Sequence, residues 1–260
     1  MPLDLSIVIV SFNAKQDLER CLASLRSAPP SRSHEIIVVD NGSSDGSASV
    51  AKKWTDIKLL EAGANLGFAR GNNLGIRASS GANLLLLNSD TIVPAGAIDG
   101  LLSVLDWHSD VAVVGPRLVD GGGHAELSFG PMVSPLGQLR QQRIARSDVD
   151  ALTRKEQYPD WVTGACLLVR RADADAVGLL DERYFMYLED VDFCAAIRAR
   201  GRRVLFSPGV EITHLKGRSS PSPEANWELY YRGLVTFYEK HHPFWAPPLR
   251  LYLKVRGADI

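Results

Sequence analysis

In LLLLNSD, residues 84–90, four consecutive leucines run without a break into an amide, a hydroxyl and a carboxylate. The leucines read as a strand buried on both faces, as in a parallel sheet covered by helices. A strand that only fills a core usually ends in a Gly or Pro turn. Asn88, Ser89 and Asp90 are instead groups presented at a strand's carboxyl end, where open α/β sheets bind their ligands.

Two earlier segments repeat the arrangement. Residues 5–10 (LSIVIV) form a β-branched run too short for a helix, and it ends in Ser11-Phe12-Asn13. Residues 35–39 (EIIVV) end in Asp40-Asn41-Gly42-Ser43-Ser44-Asp45-Gly46, a turn dense in side-chain acceptors and N-cap residues. Between them, Leu18, Cys21, Leu22 and Leu25 keep helical spacing over residues 15–27, and Pro29-Pro30 stops that helix. A helix from Ser47, a strand at 58–61, a helix through Ala78, a strand at 83–87, a helix from Pro94 and a strand at 111–114 continue the alternation. This pattern predicts an α/β fold with a doubly wound, mostly parallel sheet. The three polar clusters then share one sheet edge and converge on one ligand.

No G-x-G-x-x-G follows the first strand, so the ligand is expected to be held by side chains and not by a glycine loop on a pyrophosphate. Asp40 stands where it can accept hydrogen bonds from a base or ribose, although a turn cap needs the same residue. Asn88-Ser89-Asp90 is similar to a D-x-D motif, whose carboxylates bind a divalent ion bridging to a diphosphate. Mg²⁺ needs only one or two carboxylates beside phosphate oxygens and water, so Asp90 suffices with a helper. His214 is the candidate helper, and Mn²⁺ suits a mixed Asp and His set better than Mg²⁺. A single His at a strand end also serves as an ordinary, hydrogen-bonded core or surface residue.

The second half is less regular. Gly121-Gly122-Gly123 opens a polar stretch to residue 160 that reads as an insertion or a mobile loop. Residues 161–169 (WVTGACLLV) read as one apolar strand. DERYFMYLEDVD, residues 181–192, leads into a helix ending near Arg200, then a strand at 203–206 and Glu211-Ile212-Thr213-His214. Glu189, Asp190 and Asp192 crowd the first turn of that helix, where the dipole alone favours acids. The aromatic run Tyr184-Phe185-Met186-Tyr187 can wall a pocket around the pair. Burial there raises a carboxylate's pKa, while the helix N-terminus lowers it.

The 260 residues, 45% apolar, are ample for one α/β domain with an elaborated C-terminal part. The 29 basic and 30 acidic side chains balance to −1, which implies no general attraction to nucleic acid. Three cysteines, Cys21, Cys166 and Cys194, lie in apolar surroundings without metal-ligand spacing, which fits a reducing compartment. Neither a signal peptide nor a membrane-spanning run is visible, so a cytoplasmic location is expected. The tail from Tyr231 carries Arg232, Lys240, Arg250, Lys254 and Arg256 against Glu239 and Asp259, a net +3, together with Phe244, Trp245 and Tyr252. That mixture suits peripheral contact with an anionic membrane, the inner membrane's cytoplasmic face, and equally a helix packed on the domain.

Taken in order, LSIVIVSFN, IIVVDNGSSDGS, NLGFARGNNLG, LLLLNSD, WVTGACLLVRR, DERYFMYLEDVDFCAAIRARG and ITH resemble the family 2 glycosyltransferases, in particular their bacterial rhamnosyltransferase-like branch. The resemblance spans residues 4–216. It implies a GT-A fold and inverting transfer of a sugar from a nucleoside diphosphate donor, dTDP-rhamnose in this branch, with Mn²⁺ or Mg²⁺. The acceptor it implies is a surface polysaccharide or a glycan on a polyprenyl diphosphate. It places Ser11, Asn13, Asp40 and Asn41 around the nucleotide, and Asn65, Gly67, Asn72 and Ser89 near the donor. It makes Asp90 and His214 metal ligands and Asp190 the catalytic base. Asn88 departs from the D-x-D pattern by replacing its first acid, a substitution the branch tolerates. Residues 1–216 are expected to form the GT-A domain and 217–260 a C-terminal helical extension, packed on the domain or facing a membrane. Two alternatives compete: a UDP or GDP donor of another sugar, and a non-catalytic scaffold in polysaccharide assembly. A scaffold would be expected to lose Asp90, Asp190 or His214. A nucleotidyltransferase would need a glycine-rich basic loop where VSFNAK stands.

Overall fold

The computed structural model describes residues 3–215 and 223–258. The expected boundary between residues 216 and 217 lies outside the described residues.

Strands β1 (Leu5–Ser11), β2 (His34–Asp40), β3 (Ile57–Glu61) and β4 (Asn83–Asn88) lie parallel in the order β3-β2-β1-β4. The four leucines alternate between two helical layers. Leu85 and Leu87 join Ile7 and Ile9 against α1 (Lys15–Ser27), and Leu84 and Leu86 join Val8 against Ile76 of α3 (Phe68–Arg77). Apolar side chains on both faces of β4 are therefore all removed from water, each contributing roughly 1.5–3 kcal/mol. The short helix α2 (Ser47–Ala51) and the two-residue strand β5 (Thr91–Ile92) precede α4 (Ala97–Trp107), whose Leu101, Leu102 and Leu105 cover the α1 side.

The second half completes the sheet differently from the sequence expectation. Strand β6 (Val111–Val119) is buried along its whole length. The apolar run at 161–169 is not one strand. It splits into β8 (Trp161–Val162), which pairs with β7 (Phe129–Gly130) in a separate two-stranded ribbon, and β9 (Cys166–Arg170). Strand β9 inserts antiparallel between β4 and β6. The break at Thr163-Gly164-Ala165 frees the Gly164 N–H from the ladder, and it donates to Asp190 instead.

Strand β10 (Arg203–His214) runs parallel to β6 with a register shift between Ser207 and Glu211, and β5 closes the edge. Residues 121–160 are ordered, not a loose insertion: they carry β7, α5 (Pro135–Ala145) and α6 (Val149–Leu152). Arg117, buried on β6, fastens this segment by ion pairs to Asp150 of α6 and Glu211 of β10. Two shorter elements complete the core cover, α7 (Arg171–Ala176) and α8 (Glu189–Ala199), the latter burying Phe193, Cys194 and Ile197. Helix α9 (Pro223–His241) then packs Leu234, Phe237 and Tyr238 against Tyr184, Leu188 and Val191, and α10 (Ala246–Val255) follows.

Glycines set the distance between α3 and the sheet. A Cβ on Gly75 would stand 2.4 Å from Val8 Cγ1, and one on Gly71 2.9 Å from Val10 Cγ1. In an open helix Gly→Ala stabilises by about 0.5–1 kcal/mol. Here the overlap reverses the sign. Gly75→Ala is expected to lower stability by about 1–3 kcal/mol, read as a fall in Tm; an unchanged or higher Tm would refute so close an approach.

Candidate active site

The register Val10↔Asn88 and Ser11↔Asp40 puts the three polar clusters on one edge, as the sequence pattern predicts. Above this edge lies a cavity of about 600 Å³. Of the residues singled out from sequence, Asn41, Asn65, Gly67, Ser89, Asp90, Asp190 and His214 line it. Ser11, Asn13, Asp40 and Asn72 do not.

Asn13 lies in the loop after β1, Ser11 and Asp40 end β1 and β2, and Asn72 lies in α3. Asn13, at φ 48°, is exposed and clasps the neighbouring loop: its Oδ1 accepts from the Ser44 N–H, and its own N–H donates to Ser43 Oγ. Asp40 is buried, and its Oδ2 accepts from the Ser43 N–H at 3.1 Å. Asp40 thus does cap its turn, yet its Oδ1, Ser11 Oγ and Asn72 Oδ1 are buried without hydrogen-bond partners among the described residues. Buried acceptors left unmet cost about 1–3 kcal/mol each, so a polar ligand at this edge would satisfy a standing demand.

Asn41 holds the opposite loop. Its Nδ2 donates to Asn65 Oδ1 and the Gly67 carbonyl, and its Oδ1 accepts from the Leu66 N–H. Gly67 is required by contact as well as by its φ of 81°: a Cβ there would meet the Phe185 carbonyl at 2.3 Å. The Phe68 N–H donates to that same carbonyl, joining the loop to the acidic segment at 2.7 Å.

At the far end of the sheet, His214 closes a chain of charge. Its Nε2 lies 3.3 Å from Asp90 Oδ1, and its Nδ1 lies 3.1 Å from Glu126 Oε2. Burial disfavours the charged ring, but the hydrogen bonds to Asp90 and Glu126 outweigh it and raise the imidazole to about 9. The sequence reading missed Glu126, which sits in the polar stretch after Gly123 with no motif around it. Among the described residues no group of three or more His, Cys, Asp or Glu is gathered as a metal would need; Asp90 Oδ1 and His214 Nε2 face each other at 3.3 Å, and the ring would have to give up its Nε2 proton for the two to hold a divalent cation together. The carboxylate on the other ring nitrogen is the usual support for a metal-binding His.

The acidic pair stands at the start of α8. Two residues without glycine's freedom, Tyr187 (φ 72°) and Leu188 (φ 70°), take the left-handed conformation just before it. Each costs of order 1–3 kcal/mol, and their surroundings hold them there. Gly233 of α9 lies so close that a Cβ would meet the Tyr187 carbonyl at 2.6 Å, and Tyr187 Oη donates to Asn226. Asp192, fully buried, receives Lys240 Nζ at 2.8 Å and pairs with His241 Nε2 at 2.6 Å, tying α9 to α8.

The turn so held aims Asp190 at the cavity, where its Oδ2 accepts from Gly164 N–H and its Oδ1 from Val191 N–H, both at 2.8 Å. Burial still raises its pKa above the ordinary aspartate value, the backbone donors opposing. Glu189 is raised further, by burial and by the Asp190 charge, and its Oε2 has no partner among the described residues. Two backbone N–H groups thus meet the Asp190 carboxylate, whereas Glu189 Oε2 meets none among the described residues. Gln138 and Gln141 of α5 and Tyr230 of α9 complete the wall, none of them signalled by sequence.

Cys21, Cys166 and Cys194 are buried free thiols, Cys21 raised to about 12 chiefly by burial, so none is a nucleophile for this site. Among the described residues no helix is long and apolar enough to cross a membrane.

The model of the family Glycosyl transferase family 2 matches residues 6–176. An N-acetylglucosaminyl-diphospho-decaprenol L-rhamnosyltransferase of Mycobacterium tuberculosis is 31% identical, the match covering 96% of this chain and 89% of that protein. Rhamnosyltransferase WbbL of Escherichia coli is 24% identical over 86% of this chain and 89% of its own. Among solved structures, a mannosyltransferase from Pyrobaculum calidifontis, in complex with GDP-Man and Mn²⁺, superposes with a TM-score of 0.67 at 17% identity. That match covers 96% of this chain and 69% of the other. The chain belongs to glycosyltransferase family 2, as a GT-A-fold enzyme of the rhamnosyltransferase-like branch.

Proposed function

We propose that this glycosyltransferase moves L-rhamnose from dTDP-rhamnose, with inversion, onto a hydroxyl of a glycan carried on a polyprenyl diphosphate. The observation that carries the reading is the sharing of one cavity by Asp190 and the Asp90–His214 pair. The named activity of the Mycobacterium tuberculosis relative supports the sugar and the lipid-linked acceptor.

In the proposed reaction Asp190 takes the proton of the acceptor hydroxyl while that oxygen bonds to the anomeric carbon. The bond from that carbon to the diphosphate oxygen breaks on the opposite face, which inverts the configuration. Asp90 and His214 are the proposed ligands of Mn²⁺ or Mg²⁺, and a bound divalent cation supplies Lewis-acid charge for the diphosphate leaving group. Ser11, Asp40 and Asn41 are assigned to the nucleotide, with Asn13 shaping its loop. Asn65, Gly67, Asn72 and Ser89 are assigned to the donor's sugar and phosphates. The proposed division of labour keeps the transfer site in residues 1–216, with 217–260 as an extension that braces the Asp190 turn through Asp192.

The carrier nucleotide is tested by calorimetry with dTDP, UDP and GDP, each with and without Mn²⁺. dTDP is expected to bind only with the cation, and Asp90→Ala to lose that binding. Binding of UDP or GDP alone would replace the donor, and binding of none to the folded protein would favour a scaffold.

For the base, Asp190→Asn should reduce kcat by about 10²–10⁴ while leaving donor affinity unchanged. Unreduced turnover would remove the assignment.

The pH dependence carries a sign. Asp190 works ionised, so activity is lost as pH falls through its raised pKa. The acidic limb of kcat/KM is expected above the ordinary aspartate value of about 4; a limb at or below that value contradicts a desolvated base.

A further inference from the structure

Helix α5 is built inside out. Its Gly137, Gln138 and Gln141 face the cavity, while Leu136 (71% exposed) and Leu139 (56% exposed) point outward beside Arg140 and Arg143. A helix whose outer side meets only water has the reverse arrangement. Helix α10 also turns apolar side chains outward, though it buries others. Ala246 and Leu253 are buried, whereas Leu251, Tyr252 and Val255 are exposed beside Lys254. In the 3₁₀ turn Pro243–Trp245 before it, Phe244 is 93% exposed and Trp245 57%.

The two elements belong together. His242 Nε2 lies 3.0 Å from the Val133 carbonyl just ahead of α5, and Met132 and Val133 pack in one apolar cluster with Ala246 and Leu249. Of the eleven large hydrophobic residues exposed among the described residues, seven lie on α5, the 3₁₀ turn and α10. That concentration on elements joined at Val133 and His242 differs from the scattered single apolar residues of an ordinary surface.

Charge selects the occupant. Neither α5 nor α10 contains an acid, and Arg140, Arg143, Arg146, Lys254 and Arg256 are all exposed. Glu239 is engaged with Arg250, and Asp150 with Arg117 and Arg154. A second copy docked through the same face would set cations against cations, since a two-fold interface pairs a patch with itself. An anionic lipid surface attracts these cations and takes up the leucines, with Trp245 and Tyr252 suited to headgroup depth.

We propose that α5 and α10 together dock this enzyme on an anionic phospholipid bilayer beside the cavity, so that a lipid-borne acceptor reaches Asp190 without leaving the membrane. This rests on the lipid-linked acceptor proposed above and adds α5 to the basic tail as a second point of attachment.

The test is cosedimentation of the full chain with vesicles of phosphatidylcholine alone and with vesicles containing phosphatidylglycerol. Binding is expected to the latter and to weaken with salt. Paired neutralisation, Arg140→Gln with Arg143→Gln or Lys254→Gln with Arg256→Gln, should each weaken partitioning about thirtyfold at low salt. Leu136→Ser with Leu139→Ser should weaken it too. Transfer to a short-chain, water-soluble acceptor should be unchanged in all three variants, which shows that they fold. Docking is overturned if the wild type ignores phosphatidylglycerol, or if the α5 variants bind as the wild type does. It is also overturned if sedimentation velocity finds a dimer that the Leu136 and Leu139 changes abolish. Vesicle binding that follows this pattern, without transfer to any polyprenyl-diphosphate acceptor, upholds docking and sinks only the acceptor reading.

Discussion

The constraint on which the rest depends is the in-register ending of β1, β2 and β4. Ile9 and Leu87 are sealed between helices, and within one or two residues Ser11, Asp40 and Asn88 must find polar partners at the same edge. Backbone pairing cannot satisfy side chains, so the loops beyond the edge are made of Asn, Ser and Asp that bond to one another. Asn13 to Ser44 and Asn41 to Asn65 are the principal links. The atoms left over, Ser11 Oγ and Asp40 Oδ1 among them, stay buried just behind the cavity wall without partners among the described residues. Rigidity of the apolar strands thus becomes precision at the polar rim.

The acidic turn is a second, opposed device. Two left-handed residues and a buried Glu189 beside Asp190 all act against stability, the carboxylates because their raised pKa values mark ionisation as costly in the fold. What offsets this is α9. It contributes an apolar seam to Tyr184, Leu188 and Val191, and two side chains, Lys240 and His241, to Asp192. The C-terminal helices are therefore part of the site's support even though only Tyr230 of α9 reaches the cavity wall among the residues identified there.

Much of the first half was legible because its signals are local. Strand runs, helix spacing and turn residues follow each other within a few positions, and the polar clusters fell where parallel pairing predicts. Strand β9 was not legible as antiparallel, since a run of Cys166-Leu167-Leu168-Val169 buried on both faces carries no mark of direction. The split at Gly164 was hidden because its cause, Asp190, is distant in sequence. Helix α5 escaped because its leucines face outward and its glutamines inward, which erases the pattern that identifies a helix packed on a core. Asp192 was read as a dipole-favoured acid, and its partners on α9 could not be inferred from spacing.

Glu126 bears on a difficulty that the proposed cation site carries. Replacing the first acid of a D-x-D pattern by Asn88 lowers the negative charge beside Asp90, which by itself weakens a cation site. In the cation site proposed above, Glu126 would return negative charge from the far side of His214, whose Nδ1 it holds at 3.1 Å. It does not stand where a motif's first acid would stand. It acts on the imidazole, holding the ring by Nδ1 so that Nε2 faces Asp90. A third carboxylate at position 88 would add repulsion to a site already containing Asp90 and Glu126 around one imidazole. Asn88 keeps the strand-end geometry without that charge, its carbonyl accepting from Thr91 Oγ1 and its N–H bonding the Ala165 carbonyl. The amide in LLLLNSD is thus consistent with a site whose charge is drawn from three elements and not from one motif.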